Sequence, residues 1–171
     1  DGDYLWIGTY AKGIRVVNLR TGAVKVYTHS RGIPYTICSN DVLCFYRGRN
    51  GEIYVGTSWG LCRYDAAKDN FMPIINIGSM ISITDMHEDM YNHLWIATSS
   101  SGVFTYNTIN GHYKNYQHER EDSTTITSNS IITLFEDAKG TMWFGTNGGG
   151  LCSFEPKTKT FIEFDPHNTL L

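Results

Sequence analysis

Short runs of apolar and aromatic residues alternate along the whole chain with turns rich in Gly, Asn, Asp and Lys. No stretch keeps the 3.6-residue apolar spacing of an amphipathic helix, so the pattern predicts strands from one end to the other. Four of the runs repeat nearly one phrase: Leu5-Trp6-Ile7-Gly8-Thr9, Ile53-Tyr54-Val55-Gly56-Thr57, Leu94-Trp95-Ile96-Ala97-Thr98 and Met142-Trp143-Phe144-Gly145-Thr146. Their aromatic residues Trp6, Tyr54, Trp95 and Trp143 stand 48, 41 and 48 positions apart. A period of about 40–50 residues is the signature of a repeat architecture. Apolar at consecutive positions, the anchor runs suit strands covered on both faces.

Each anchor sits in a larger unit. Ahead of it, Ser39-Asn40-Asp41-Val42-Leu43-Cys44-Phe45-Tyr46 aligns without a gap on Ser128-Asn129-Ser130-Ile131-Ile132-Thr133-Leu134-Phe135, and the third copy reads Ser82-Ile83-Thr84-Asp85-Met86-His87. Behind it come a short turn, a Gly and a run beginning Gly13-Ile14, Gly60-Leu61, Gly102-Val103 or Gly150-Leu151. A polar turn then leads to last runs at 24–27, 71–74, 113–116 and 161–164. Strands are thus predicted near 4–9, 14–18, 42–46, 53–57, 61–64, 131–136, 142–146 and 151–155.

Four strands per repeat at this period predict a radial stack of four-stranded antiparallel blades, a β-propeller. The units are blade 1 at 1–38, lacking its first strand, then blades 2, 3 and 4 at 39–79, 80–127 and 128–171. The expected fold is a single all-β domain, a partial β-propeller of about three and a half blades, because closed rings hold about four to eight. In the closing stretch Asn168-Thr169-Leu170 matches Thr124-Thr125-Ile126, which precedes Ser128-Asn129, so a further blade is expected to follow.

The repeat resembles the two-component regulator propeller repeat, of the form N-x-V-x-x-I-x-E-D-x-x-G-x-L-W-I-G-T-x-x-G-G-L-x-x-Y. The fourth copy carries it most fully, from Asn129 through Glu136-Asp137, Gly140, the anchor and Gly149-Gly150-Leu151 to Phe154. The second copy departs at Arg47-Gly48 and Tyr54, and the third at Ala97. WD-type propellers fit less well because no Gly-His…Trp-Asp pairing recurs, and Kelch repeats because a Gly-Gly pair occurs only in the fourth copy. The resemblance implies a segment of a larger, seven-bladed ring in the periplasmic sensor part of an inner-membrane hybrid histidine kinase. Such receptors of Bacteroidetes detect an oligosaccharide and switch on transcription through a phosphorelay. A dimeric parent receptor is implied as well. No nucleophile–base arrangement is visible, so neither catalysis in this chain nor a cofactor is expected; the alternative reading is a fragment of a lyase- or hydrolase-like propeller enzyme or a protein-interaction scaffold.

Charge and composition narrow the partners. A net charge of −3 with scattered Lys and Arg gives no basic stripe, against nucleic acid binding. No apolar run approaches the roughly 18–20 residues of a bilayer span, so no membrane contact is expected in this segment. Blade faces left bare by an isolated arc are expected to meet the remaining blades of the parent chain or other copies. Cys62 and Cys152 share a strand position two blades apart, and Cys38 and Cys44 flank the start of one strand. Neither pair is placed to bridge, so Cys44, Cys62 and Cys152 are expected as buried thiols.

Candidate chemistry is sparse. Trp6, Tyr54, Trp95 and Trp143, with Gly8, Gly56 and Gly145 beside them, recur at one position and are read as structural core, the small residue admitting the neighbouring blade. Glu88-Asp89 and Glu136-Asp137 precede a turn and are read as turn chemistry rather than a carboxylate pair. Histidines 29, 87, 93, 112, 118 and 167 lack metal-ligand spacing, so no metal is expected. Gly148-Gly149-Gly150 is followed by neither a Lys-Ser/Thr nor a helix and reads as a hairpin, not a phosphate loop. The polar connection 118–125 reads as a solvated loop. What varies sits after each anchor, where repeat scaffolds carry function on one face. Ligand or partner contact is assigned there to Trp59, which has no repeat counterpart, and to Ser58, Tyr10 and Asn147.

Overall fold

The computed structural model describes residues 2–74 and 81–164; the Asn168-Thr169-Leu170 match lies outside them. Among the described residues every regular element is a strand. They are β1 (Tyr4–Gly8), β2 (Ile14–Asn18), β3 (Val24–Tyr27), β4 (Val42–Arg47), β5 (Ile53–Thr57), β6 (Gly60–Asp65), β7 (Asn70–Pro73) and β8 (Ile83–Glu88). Then come β9 (His93–Thr98), β10 (Val103–Asn107), β11 (Tyr113–Tyr116), β12 (Ile131–Glu136), β13 (Met142–Thr146), β14 (Leu151–Glu155) and β15 (Thr160–Glu163). They form four meanders in chain order: a three-stranded sheet β1–β3 and four-stranded sheets β4–β7, β8–β11 and β12–β15. Against the runs read from the sequence, the last strands β7 and β15 start one residue early.

The chain divides into two compact units, Asp1–Ile83 and Thr84–Leu171. In the first, sheet β1–β3 packs on β4–β7 through Ile14, Val16, Ile37, Val42, Val55, Cys62 and Phe71. In the second, β8–β11 packs on β12–β15 through Trp95, Val103, Ile126, Ile131, Phe144, Cys152, Phe154 and Phe161. The two cores are one design written twice. Ile14, Ile37, Val42 and Val55 recur 89 positions later as Val103, Ile126, Ile131 and Phe144, and Cys62 and Phe71 recur 90 later as Cys152 and Phe161.

The duplication extends to the connections. His29 N–H donates to Asn40 Oδ1 at 2.7 Å, and His118 N–H to Asn129 Oδ1 at 2.7 Å. The Nδ1 of each histidine lies 2.8 Å from the carbonyl of Ile37 or Ile126. Phe71 N–H then donates to the Tyr35 carbonyl at 3.0 Å, as Phe161 N–H does to Thr124 at 2.7 Å, so each loop leans on the outer edge strand of the following sheet. The exposed stretch 118–125 is therefore anchored at both ends, each end-group satisfying buried or edge backbone.

Two expectations change. Cys38 and Cys62, a pair not considered from spacing, act on each other: Cys62 lowers the Cys38 thiol pKa, while Cys38 and burial push that of Cys62 up, and the Cys62 Sγ points to the Val55 carbonyl at 3.8 Å. All four cysteines are thiols rather than disulfides; Cys62 and Cys152 are buried, but Cys44 is only half-buried. Gly8 does admit the neighbouring sheet, since a Cβ there would come within 2.7 Å of Val42 Cγ1. At Gly145 the first obstacle is instead the inner strand of the same sheet, Thr133 Cγ2 at 2.9 Å.

Candidate functional site

The turn after each anchor is set by a Thr at the end of the anchor strand. Thr9, Thr57, Thr98 and Thr146 each donate their hydroxyl to the carbonyl of the Gly that opens the next strand, at 2.7, 2.8, 2.7 and 2.9 Å. In the first unit the turns β1–β2 and β5–β6 meet through Asp41. Its Oδ1 accepts Ala11 N–H at 2.7 Å, its carbonyl accepts Ser58 N–H at 3.0 Å, and Ser58 Oγ lies 3.4 Å from Oδ2. Ser58 Oγ also pairs with Ser39 Oγ at 2.9 Å. This bracing fixes two aromatic side chains in water: Tyr10 is 82% exposed and Trp59 57%. Tyr10, Ser58 and Trp59 are thus brought to one face of the first unit. Asn147 occupies the corresponding turn of the last sheet, exposed, its N–H donating to the Ser130 carbonyl at 2.8 Å.

The acidic pair and the tryptophan turn out to be one device. Asp89 Oδ1 accepts the N–H groups of Tyr91 and His93 at 2.8 and 2.9 Å while Oδ2 accepts Trp95 Nε1–H at 2.8 Å. Asp137 repeats this with Lys139 and Thr141 at 2.8 and 2.9 Å and Trp143 Nε1–H at 3.0 Å. The Trp143 indole, then the Thr141 amide, hold the Asp137 carboxyl below the usual carboxylate range. The second copy lost both partners together: Gly48 replaces the Asp, and Tyr54, 1% exposed, donates its hydroxyl to Glu52 at 2.8 Å. That paired departure was visible in the sequence as two separate exceptions.

Burial separates the four aromatic anchors. Tyr54 and Trp95 are 1% and 2% exposed, whereas Trp6 and Trp143 are half-buried. The expectation of a Trp143 ring enclosed between blades does not hold among the described residues. That ring lines an apolar groove of about 330 Å³ with Phe135, Leu151 and Phe164.

A second feature escaped the sequence reading. Each unit has a cleft opening on the turns that join the inner and the outer strand pairs. In the first unit it measures about 810 Å³. There Asp69 accepts from Lys25 Nζ and from the hydroxyls of Tyr27 and Tyr64 at 2.5 and 2.7 Å. Lys25, then the two phenols, bring the Asp69 carboxyl down to about 2, and burial together with Asp69 pushes Tyr27 up to about 12. A depressed carboxyl favours the folded state above its unfolded range and loses that contribution as pH falls through the folded value. Asp69 should therefore titrate by NMR near 2, its support fading between about pH 4 and 2, and Lys25→Met should return it toward about 4. Among the described residues no cluster of His, Cys, Asp or Glu is arranged to hold a metal.

Four consecutive antiparallel meanders on a repeated anchor define a partial β-propeller. Residues 36–59 and 125–148 match the family described as two component regulator propeller. The chain is 28% identical to the extracellular domain assigned to a hybrid two component system of Bacteroides thetaiotaomicron, with a TM-score of 0.72 over 97% of this chain and 19% of that one. Over 75 residues, 44% of this chain and 5% of its relative, it is 35% identical to Histidine kinase P4 of Formosa agariphila. Virginiamycin B lyase of Staphylococcus aureus shares the fold at 14% identity, with a TM-score of 0.69 over 96% of this chain and 53% of that one. The chain thus spans a small part of the length of the two-component proteins it matches.

Proposed function

We propose that this chain is part of the extracytoplasmic sensor of an inner-membrane hybrid histidine kinase, and that it takes part in recognising an oligosaccharide whose presence is relayed to transcription. What carries this reading is the likeness to the extracellular domain of a hybrid two component system along 97% of the chain. The repeat match at 36–59 and 125–148 agrees with it. Tyr10 and Trp59, held out by the Asp41 brace, supply aromatic faces beside hydroxyl and amide groups, which suits sugar rings. The groove at Trp143 is where the next blade of the parent chain, or another copy, would seat, since the same faces at Trp6 and Trp95 are covered by the following sheet. Within the parent, receptors pair as dimers.

A propeller enzyme is the second reading, favoured by the lyase that shares the fold. Trp59→Ala separates the roles of the turn face. Because Trp59 is 57% exposed, its loss should leave stability within about 0.5 kcal/mol. In the full receptor it should weaken the reporter response to the inducing oligosaccharide. An unchanged response at unchanged melting temperature would remove this turn from the sensing face.

A further inference from the structure

The cleft of the second unit is the charge-inverted copy of the first. Its volume is about 380 Å³, within the range of small-molecule sites. The floor is preserved, with Trp95 and Tyr116 where the first unit has Trp6 and Tyr27. Lys114 repeats Lys25, 89 positions on. Other lining positions differ, among them His93 for Tyr4, His112 for Ala23 and Tyr113 for Val24, 89 positions on, and Phe154 for Tyr64, 90 on; the change that reverses charge is Lys159 for Asp69, also 90 on. Asp69 and Lys159 share a left-handed turn conformation, φ 55° and 60°, so the same backbone site presents opposite charges.

In the first unit Asp69 neutralises Lys25, and the lining carries Lys25 and Arg63 against Glu52, Asp65 and Asp69. In the second, Lys114 and Lys159 line the cleft together with His93 and His112, and among the described residues Asp89 is the one carboxylate in the lining. Asp89 is committed: both oxygens bind the Trp95 indole and two backbone N–H groups, and His93 Nδ1 lies 3.3 Å from Oδ2. Lys114 Nζ rests over the Tyr116 ring, 4.2 Å from its centroid. Two ammonium groups facing one concave site repel each other unless an anion bridges them, and a cleft concentrates that field. Tyr113, 56% exposed, offers a ring face beside them.

We propose that this cleft binds the oxyanion of a small acidic sugar, a carboxylate or sulfate ester seated between Lys114 and Lys159 with the sugar ring against Tyr113. That the anion is carried by a sugar rests on the glycan-sensing reading above; the site is separate from the Tyr10–Trp59 face and is tested by binding alone, so its failure leaves that reading standing. Calorimetric titration of the 171-residue chain should use digalacturonate, galactose 6-sulfate, neutral galactobiose and inorganic sulfate as probes. At least one acidic sugar should bind ten-fold or more tighter than galactobiose and tighter than inorganic sulfate, with affinity falling as salt rises. Whichever acidic sugar binds identifies carboxylate or sulfate ester as the source. Lys159→Asp should abolish that preference and Lys114→Gln weaken it about ten-fold, while melting temperatures stay unchanged because both side chains are exposed. Equal binding of acidic and neutral sugars, inorganic sulfate binding as tightly as the sugars, or a preference surviving Lys159→Asp in folded protein would each overturn the proposal.

Discussion

Trp95→Ala should destabilise the chain by about 3–5 kcal/mol, the range for truncating a large aromatic in a core. The ring is 2% exposed and meets Phe154, Phe144 and Tyr116 with centroids at 4.9, 5.3 and 5.9 Å. Removing it also strips the almost wholly buried Asp89 carboxylate of its indole donor, leaving Oδ2 with only the longer 3.3 Å contact to His93 Nδ1. Trp143→Ala removes the same repeat residue from a half-exposed groove and should cost clearly less in this chain. Denaturant melts of both variants read the difference. Equal losses would mean that packing between sheets contributes little and that the Asp–Trp hydrogen bond alone carries the effect.

Gly102→Ala should cost about 3 kcal/mol or more, through the backbone rather than the core. Gly102 has φ 71°, and a Cβ there would stand 2.1 Å from the Tyr116 carbonyl oxygen. The left-handed conformation alone costs a non-glycine residue about 1–2 kcal/mol. Relieving the overlap must also shift the end of β11 or break the bonds that pin Gly102, whose N–H donates to the Asn129 carbonyl at 2.8 Å. Gly148 is the control: φ is 86° but nothing lies within 4 Å, so Gly148→Ala should cost only about 1 kcal/mol. Similar losses at both positions, read from denaturant melts, would show that conformation and not the close approach governs Gly102.

The fold was legible because strand, turn and anchor recur with the same side chains, and repetition cancels the ambiguity of any single short apolar run. The boundaries of β5, β12 and β13 follow directly from the aligned runs, and β4 runs one residue longer, to Arg47. What repetition hid was the larger period. The anchors suggested a unit of one blade, yet Ile37/Ile126, Cys62/Cys152 and His29/His118 repeat at 89 or 90 positions, a pair of blades. The coupling of Asp89 to Trp95 was equally available, because the copy lacking the Asp also lacks the indole.

The candidate site was less legible for a physical reason. Tyr10 and Trp59 stood out as exceptions to the repeat, but nothing in their spacing reveals that Asp41 ties their turns together. The clefts were invisible because their side chains come from turns far apart in sequence, Lys25 meeting Asp69 and Lys114 sharing a cleft with Lys159. Charge at a turn usually reads as solvated surface, and only the three-dimensional comparison of the two units shows that one was inverted.

The central claim, that the chain serves a sensor of glycans, is tested most directly by the reporter output of the parent receptor across a panel of purified oligosaccharides. The account predicts that output rises with one class of glycan and stays at baseline with the rest, the glycan itself being recovered intact. Flat output across the panel, with glycans recovered shortened, would contradict it and point to a propeller enzyme.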